Sequence, residues 1–292
     1  MLNARIDRNT PVIVQGITGR AGRQHTQLMR QYGTNIVAGV SPKSGSRDVD
    51  GIPVFPDCAS AVTATGATTC VAFVGAYELL GAMKEAVAAG MRYIVTPTEG
   101  MPVHDALKVK QLVSDAQAIW IGASTPGMAV AGQAKLGFLP DVSLLPGNLG
   151  LMSKSGTLSY EAGFRLAQRG VGTSAWIGVG GDPVKGLRYA DLVPFFADDS
   201  GTEALLVIGE IGGHEEEELA AALRAHRFSK PVFALIAGRT APEGVAMGHA
   251  GALVHGSHGT FKAKKAALED AGAIVFDTIN AMVDVISSQV RR

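Results

Sequence analysis

Short apolar runs alternate with amphipathic stretches along almost the whole chain. Pro11–Gln15, Asn35–Val40, Thr69–Val74, Tyr93–Thr96 and Ala118–Gly122 are rich in apolar and β-branched residues and end in glycine or small polar residues, which predicts buried strands. Apolar positions at helical spacing predict helices running to about Tyr32, over Glu78–Ala89 and over about His104–Ala116. From Phe138 to Asn148 the chain is punctuated by proline and glycine, which reads as a boundary between a domain over 1–137 and one over 138–292. The alternation then resumes. Leu149–Met152, Thr173–Val179, Ala204–Ile208, Pro231–Ile236 and Ala273–Phe276 read as strands. Helices are expected through about Arg169, over His214–His226 and over Ile279–Val290. Strands alternating with helices imply α/β architecture with mostly parallel, doubly wound sheets.

Composition narrows the function classes. The chain has 292 residues, 47% of them hydrophobic, enough for two cores. Lys plus Arg and Asp plus Glu both number 26, so there is no electrostatic footprint for nucleic acid and no basic helix for a membrane surface. The 37 glycines gather at the ends of apolar runs, as turns and phosphate loops do. Cys58 and Cys70 are the only cysteines and give neither a disulfide framework nor a thiolate metal site. Residues 1–8 lack the apolar core of a signal peptide, and no apolar run approaches a membrane span; a cytoplasmic protein is expected.

The first strand ends in Gly16-Ile17-Thr18-Gly19-Arg20-Ala21-Gly22 and opens onto a helix. Strand, glycine turn, helix and strand form the unit that aims backbone N–H groups at a phosphate. An NAD site calls for an acidic residue about twenty positions on. Ser41-Pro42-Lys43 stands there instead, and Lys43 suits a phosphate on the ribose, whether of NADP or of coenzyme A. Strands ending in Thr98-Glu99-Gly100 and Ala123-Ser124-Thr125-Pro126 form a rim for a long polar ligand.

In the second half, Ser155-Gly156-Thr157 at a helix start offers N–H and hydroxyl donors to an anion. Glu210 and His249 both fall just beyond strand ends on one edge of one sheet, and glycines flank the His249 segment (Gly248-His249-Ala250-Gly251). A carboxylate bonded to one imidazole nitrogen fixes the tautomer and makes the other nitrogen a nucleophile. His249, His255 and His258 are an alternative metal constellation without a ligand-rich helix; no metal is expected. His104 reads as a helix-start residue with no chemical task.

Six motifs stand in order: Gly16-Ile-Thr-Gly-x-x-Gly22, Thr98-Glu-Gly100, Ser153-x-Ser-Gly-Thr157, Gly178-x-Gly-Gly-Asp-Pro183, Ile208-Gly-Glu-Ile-Gly-Gly213 and Met247-Gly-His-Ala-Gly-Ala252. From end to end the chain resembles the α subunit of succinyl-CoA synthetase (succinate–CoA ligase). That resemblance implies a Rossmann-like CoA-binding domain followed by a flavodoxin-like ligase domain. It also implies a histidine, here His249, that is phosphorylated by ATP or GTP and passes the phosphoryl group to an acid. Glu210 would orient His249, and Ser155, Gly156 and Thr157 would hold its phosphate. Thr18, Gly19, Arg20, Ala21, Gly22, Lys43, Thr98 and Glu99 would serve coenzyme A. The nucleotide and Mg²⁺ would bind an ATP-grasp β subunit, in a heterodimer or an α2β2 assembly.

The sequence departs from the family at the acid site. Ala123-Ser124-Thr125 replaces Pro-Asn-Cys, Gly75-Ala76-Tyr77 replaces a Pro-Ala-Pro-like turn, and Val245-Ala246 replaces a basic pair. Ser124 and Thr125 as substrate residues favour an acid with more acceptor oxygens than succinate, such as malate, citrate or sulfoacetate. A non-catalytic CoA- or nucleotide-binding regulatory subunit and an NADP oxidoreductase are the competing readings. The pairing of Glu210 with His249 argues against the first, and no recognisable hydride-transfer residues support the second.

Overall fold

The computed structural model describes residues 6–42, 48–242, 244, 248–249, 251–254 and 259–290. The first sheet comprises β1 (Val12–Gln15), β2 (Ile36–Val40), β3 (Asp48–Val49), β4 (Ile52–Phe55), β5 (Thr69–Ala72), β6 (Tyr93–Thr96) and β7 (Ile119–Gly122), with helices α1 (Arg20–Tyr32), α2 (Cys58–Thr65), α3 (Leu79–Ala88) and α4 (Val103–Asp115). Its order is β3-β4-β2-β1-β5-β6-β7, parallel throughout except between β3 and β4. From β4 to β7 this is the Rossmann order, and the chain reverses direction across the sheet between β1 and β5.

The second sheet holds β8 (Gly127–Val130), β9 (Ala134–Gly137), β10 (Pro146–Ser153), β11 (Thr173–Gly178), β12 (Ala204–Glu210), β13 (Val232–Ala237) and β14 (Ile274–Phe276). Its helices are α5 (Gly156–Gln168), α6 (Tyr189–Asp198), α7 (Glu215–Ala225), α8 (Phe261–Asp270) and α9 (Ile279–Gln289). The order β14-β13-β12-β10-β11-β8-β9 contains the five parallel strands of a flavodoxin-like sheet, whose switch point lies between β10 and β12. The antiparallel hairpin β8–β9 extends it beyond β11.

Local chemistry fixes the element ends. α1 stops where Gly33 takes φ 112°, its N–H reaching back to Arg30 and Met29 carbonyls. Asp57, Ser155, Thr260 and Thr278 cap α2, α5, α8 and α9 by accepting N–H bonds from the first turn. Every residue of β1, β5, β6, β11 and β12 is buried, as parallel strands covered by helices on both faces must be.

The hairpin changes the expected division at 137/138. β8 and β9 pair into the second sheet, so the chain changes sheets between Gly122 and Gly127. The expected linker over 138–148 already enters β10 at Pro146. Met128, Val130 and Leu136 pack in one continuous core with Val12, Val71 and Ile121 of the first sheet and Ile177 and Val207 of the second. The elements over 48–65, the hairpin, α6 and α8 had no sequence reading, because their apolar positions are too short or too irregular to show a period. Among the described residues no helix is long and apolar enough to cross a membrane.

Two strips of polar contacts weld the sheets together. Thr34 covers the open edge of β9, its Oγ1 donating to the Lys135 carbonyl at 2.8 Å and accepting from the Lys135 N–H at 3.0 Å. On the other side, Gly186 and Leu187 donate to the carbonyls of Gly122 and Trp120 at 2.8 and 2.9 Å, laying the loop after β11 along β7. Thr34→Val leaves both Lys135 backbone groups buried without partners. It is expected to cost on the order of 1–3 kcal/mol in urea unfolding.

Candidate active site

Glu210 is the last residue of β12, and its carboxylate meets His249, which arrives on the segment after β13. Glu210 Oε2 and His249 Nδ1 are 2.6 Å apart. Two glycines make room for this approach. A Cβ on Gly212 would fall 2.1 Å from the Gly251 carbonyl oxygen, and one on Gly181 would fall 2.8 Å from Cγ of the His249 ring. The bond to Glu210 raises the imidazole pKa above its ordinary value; burial opposes it, the charges of Glu210 and Glu99 add to it, and Lys185 opposes it. With Nδ1 facing Glu210, Nε2 is the nitrogen left for a ligand.

Behind Glu210 lies a set of buried ion pairs. The Glu210 N–H donates to Glu216 Oε1 at 3.2 Å. Glu216 is wholly buried and pairs with Lys154 at 2.9 Å and with Lys264. Burial alone would push the Glu216 carboxyl up, but the two lysines outweigh it and hold it below the usual range. Lys154 and Lys185 also reach Glu215, at 3.2 and 2.7 Å. Burial lowers the Lys154 pKa, yet Glu216 and Glu215 more than restore it.

Ser155, Gly156 and Thr157 begin α5 at the end of β10, the strand beside β12. The Ser155 hydroxyl accepts from the Leu158 N–H at 3.2 Å, so the serine caps the helix, while Thr157 is exposed on its first turn. This helix start and the Glu210–His249 pair flank the switch point of the second sheet, the place where open α/β sheets take ligands.

The first sheet presents a cleft of about 600 Å³ at its own switch point, lined among others by Gly16, Thr18, Gly19, Ser41, Val74 and Tyr77. Thr18 Oγ1 and Ser41 Oγ share a hydrogen bond of 2.8 Å. No side chain caps α1 at Gly19. Arg20 and Ala21 are exposed on its first turn, and Gly22 is buried where a Cβ would fall 2.1 Å from the Gly16 carbonyl oxygen. Gly22 is therefore needed for close packing of the turn. Lys43 lies outside the described residues, as do Val245, Ala246, His255 and His258. Among the described residues, no group of three or more His, Cys, Asp or Glu side chains stands ready for a metal ion.

A chain of contacts links the cleft to the histidine. Thr98 Oγ1 donates to the carbonyl of Val74, a cleft residue, at 2.6 Å. The Thr98 carbonyl accepts from Ser124 N–H at 2.8 Å, the Ser124 carbonyl accepts from Gly181 N–H at 3.2 Å, and Gly181 abuts His249. Glu99, exposed beside Thr98, is near enough for its charge to act on the His249 imidazole. Thr125 differs from expectation. It is buried, its hydroxyl donates to the Gly178 carbonyl at 2.5 Å and accepts from Gly127 N–H at 2.9 Å, so its only proton is engaged within the protein. Ser124, half-buried with φ 58°, remains on the rim. The sequence reading missed the charges of Lys154, Lys185 and Lys264. Two of them stood inside quoted or adjacent stretches, and a lysine among glycines and apolar residues next to a functional motif was the available signal.

The fold and this rim define a CoA ligase. A CoA binding domain matches residues 7–100 and a CoA-ligase domain residues 152–274. The chain is 45% identical over 287 residues to the succinate–CoA ligase [ADP-forming] subunit alpha 1 of Archaeoglobus fulgidus, covering 98% of this chain and 97% of that protein. It is 47% identical over 274 residues to the corresponding α subunit of Aquifex aeolicus, covering 93% and 90%. The chain belongs to the family of ADP-forming succinate–CoA ligase α subunits, one half of a two-subunit enzyme.

Among solved structures, ATP citrate lyase from Methanothrix soehngenii in complex with citrate and coenzyme A has a TM-score of 0.86 at 23% identity; the match covers 99% of this chain but only 52% of that one. The dinucleotide-forming acetyl-coenzyme A synthetase 1 of Ca. Korarchaeum cryptofilum has a TM-score of 0.77 at 19% identity, over 94% of this chain and 60% of that one. At these identities the likeness concerns the fold alone.

Glu210→Gln removes the carboxylate whose hydrogen bond, with its charge, raises the imidazole. The His249 titration midpoint, followed by NMR, is expected to move to lower pH. An unchanged midpoint would show that the 2.6 Å contact does not govern the ring.

Proposed function

We propose that this chain carries the phosphoryl relay and the CoA site of an ATP-dependent acid–CoA ligase. The observation that carries the reading is the Glu210–His249 contact of 2.6 Å at a switch point flanked by the α5 helix start. Neutral His249, held by Glu210 through Nδ1, attacks the terminal phosphoryl group of the nucleotide through Nε2, and the nucleotide diphosphate leaves. The N–H groups opening α5 at Gly156 and Thr157 face the two negative charges that result, an arrangement contributing up to ~2 kcal/mol when partly buried. A carboxylate oxygen of the acid then takes the phosphoryl group and frees the imidazole. Attack of the CoA sulfur on the acyl carbon breaks the bond to the phosphate oxygen, releasing inorganic phosphate and losing the thiol proton.

Coenzyme A is assigned to the cleft at Gly16–Gly19 with the turn at α1, its 3′-phosphate to Lys43, and its thiol end to the path through Thr98 and Ser124. Nucleotide and Mg²⁺ are assigned to an ATP-grasp β subunit. The acid is a small carboxylate, succinate as for the named relatives or one with a further polar group that Ser124 contacts; the engaged proton of Thr125 argues against that residue as a donor to the acid.

Incubation with the partner subunit and γ-labelled ATP is expected to leave acid-labile label on this chain. His249→Ala should abolish the label, and label persisting in that variant would sink the assignment. Lys43→Glu should weaken CoA far more than dephospho-CoA, by on the order of 1.5–3 kcal/mol for a lost charge-assisted contact. Equal weakening of both in calorimetry would remove Lys43 from the 3′-phosphate.

A further inference from the structure

The loop after β11 carries two cations, Lys185 and Arg188, into a pocket of about 140 Å³ that Glu210 and Gly251 also line. Lys185 is buried. Its Nζ donates to the Gly180 carbonyl at 2.7 Å and pairs with Glu215 Oε2 at 2.7 Å. Gly180 immediately precedes Gly181, the residue whose bare Cα admits the His249 ring. The ammonium group therefore closes the loop on the peptide next to that contact. It engages two of its three N–H donors in doing so.

Charge points the same way. Around the pair, buried Lys154, Lys185 and Lys264 face buried Glu210, Glu215 and Glu216. Arg188, at the pocket mouth, is held by Glu218 at 2.7 Å and Glu215 at 3.4 Å. Asp182, buried in the same loop, and Glu217, paired with Lys264 at 3.0 Å, add to the acidic side, and a phosphoryl group on His249 adds a further charge of about −1.5 to −2 at neutral pH. The charge of Lys185 acts on the imidazole, opposing its protonation, while Glu210 and Glu99 favour it. Burial and Lys154 weaken the hold of Lys185 on its own proton, and Glu215 and Glu216 strengthen it.

We propose that Lys185 is a positioning residue for phosphoryl transfer at His249: it holds Gly180 and Gly181 against the ring and sets a buried positive charge opposite the phosphorylated imidazole. This rests on the phosphohistidine reading above. Lys185→Met alone would leave Glu215 buried with less compensation and risks misfolding. Lys185→Met/Glu215→Gln removes both charges and keeps the volume.

The experiment uses the full chain with its partner subunit and γ-labelled ATP, with Lys185→Arg as the conservative control and thermal unfolding as the check of fold. In the double variant, labelling is expected to rise at higher pH than in the wild type, because the imidazole keeps its proton longer without the opposing cation. After ATP is removed, its label should be lost roughly tenfold faster, the scale of one charge-assisted contact. Lys185→Arg should restore the wild-type pH profile. A folded double variant with wild-type pH profile and label lifetime overturns the proposal. Wild-type complex that takes no label overturns the phosphohistidine reading, and this proposal with it.

Discussion

The wholly buried carboxylate of Glu216 is the constraint on which the ligase half depends. An isolated carboxylate in that position would be forced to take up a proton or to break open the packing around it. Lys154 and Lys264 prevent both, and the same carboxylate accepts the N–H of Glu210. Three separate parts of the chain are thereby tied to one point: the turn into α5, the start of α7 and the start of α8. The strand end that carries Glu210 inherits its position from that knot. Buried ion pairs of this kind seldom add much to stability over an apolar core, and what they supply here is a fixed geometry.

The position of the histidine follows from that geometry together with missing side chains. Gly181 and Gly212 let the His249 segment approach two strand-end loops at distances that any Cβ would forbid. The ring is clamped between a carboxylate at the end of β12 and the bare backbone of the loop after β11. This explains why glycine clusters in this sequence sit at strand ends beside charged residues rather than in the solvent-facing turns alone.

Much of this was legible in the sequence because parallel strands covered on both faces read as uninterrupted apolar runs. β1, β5, β6, β11 and β12 were all visible in this way, and the ends of β1, β10, β12 and β13 led to Gly16–Gly22, Ser155–Thr157, Glu210 and His249. What escaped lacks a period. β8 and β9 are four residues each, rich in glycine and alanine, and could not be assigned to a sheet without knowing that Thr34 covers their edge. α6 contains Pro194 and α8 has Lys264 turned inward, so neither shows a clean amphipathic face. Thr125 illustrates a different limit: residue type tells that a hydroxyl is present, and only coordinates tell that its proton is directed at the Gly178 carbonyl.

The loop over 180–187 is stitched to β7 at one end and to the histidine at the other, and Thr34 locks the opposite side of the molecule. With both sides fastened, the cleft and the histidine are two stations joined by one continuous set of backbone bonds and packed side chains. With coenzyme A in the cleft as proposed, the span between them is built into the frame, and whatever passes from one station to the other travels on the ligand's own flexible arm. Length becomes a criterion of recognition in its own right. A carrier shorter than the frame leaves its reactive end stranded however well its phosphates are held, and a longer one must fold back on itself to arrive.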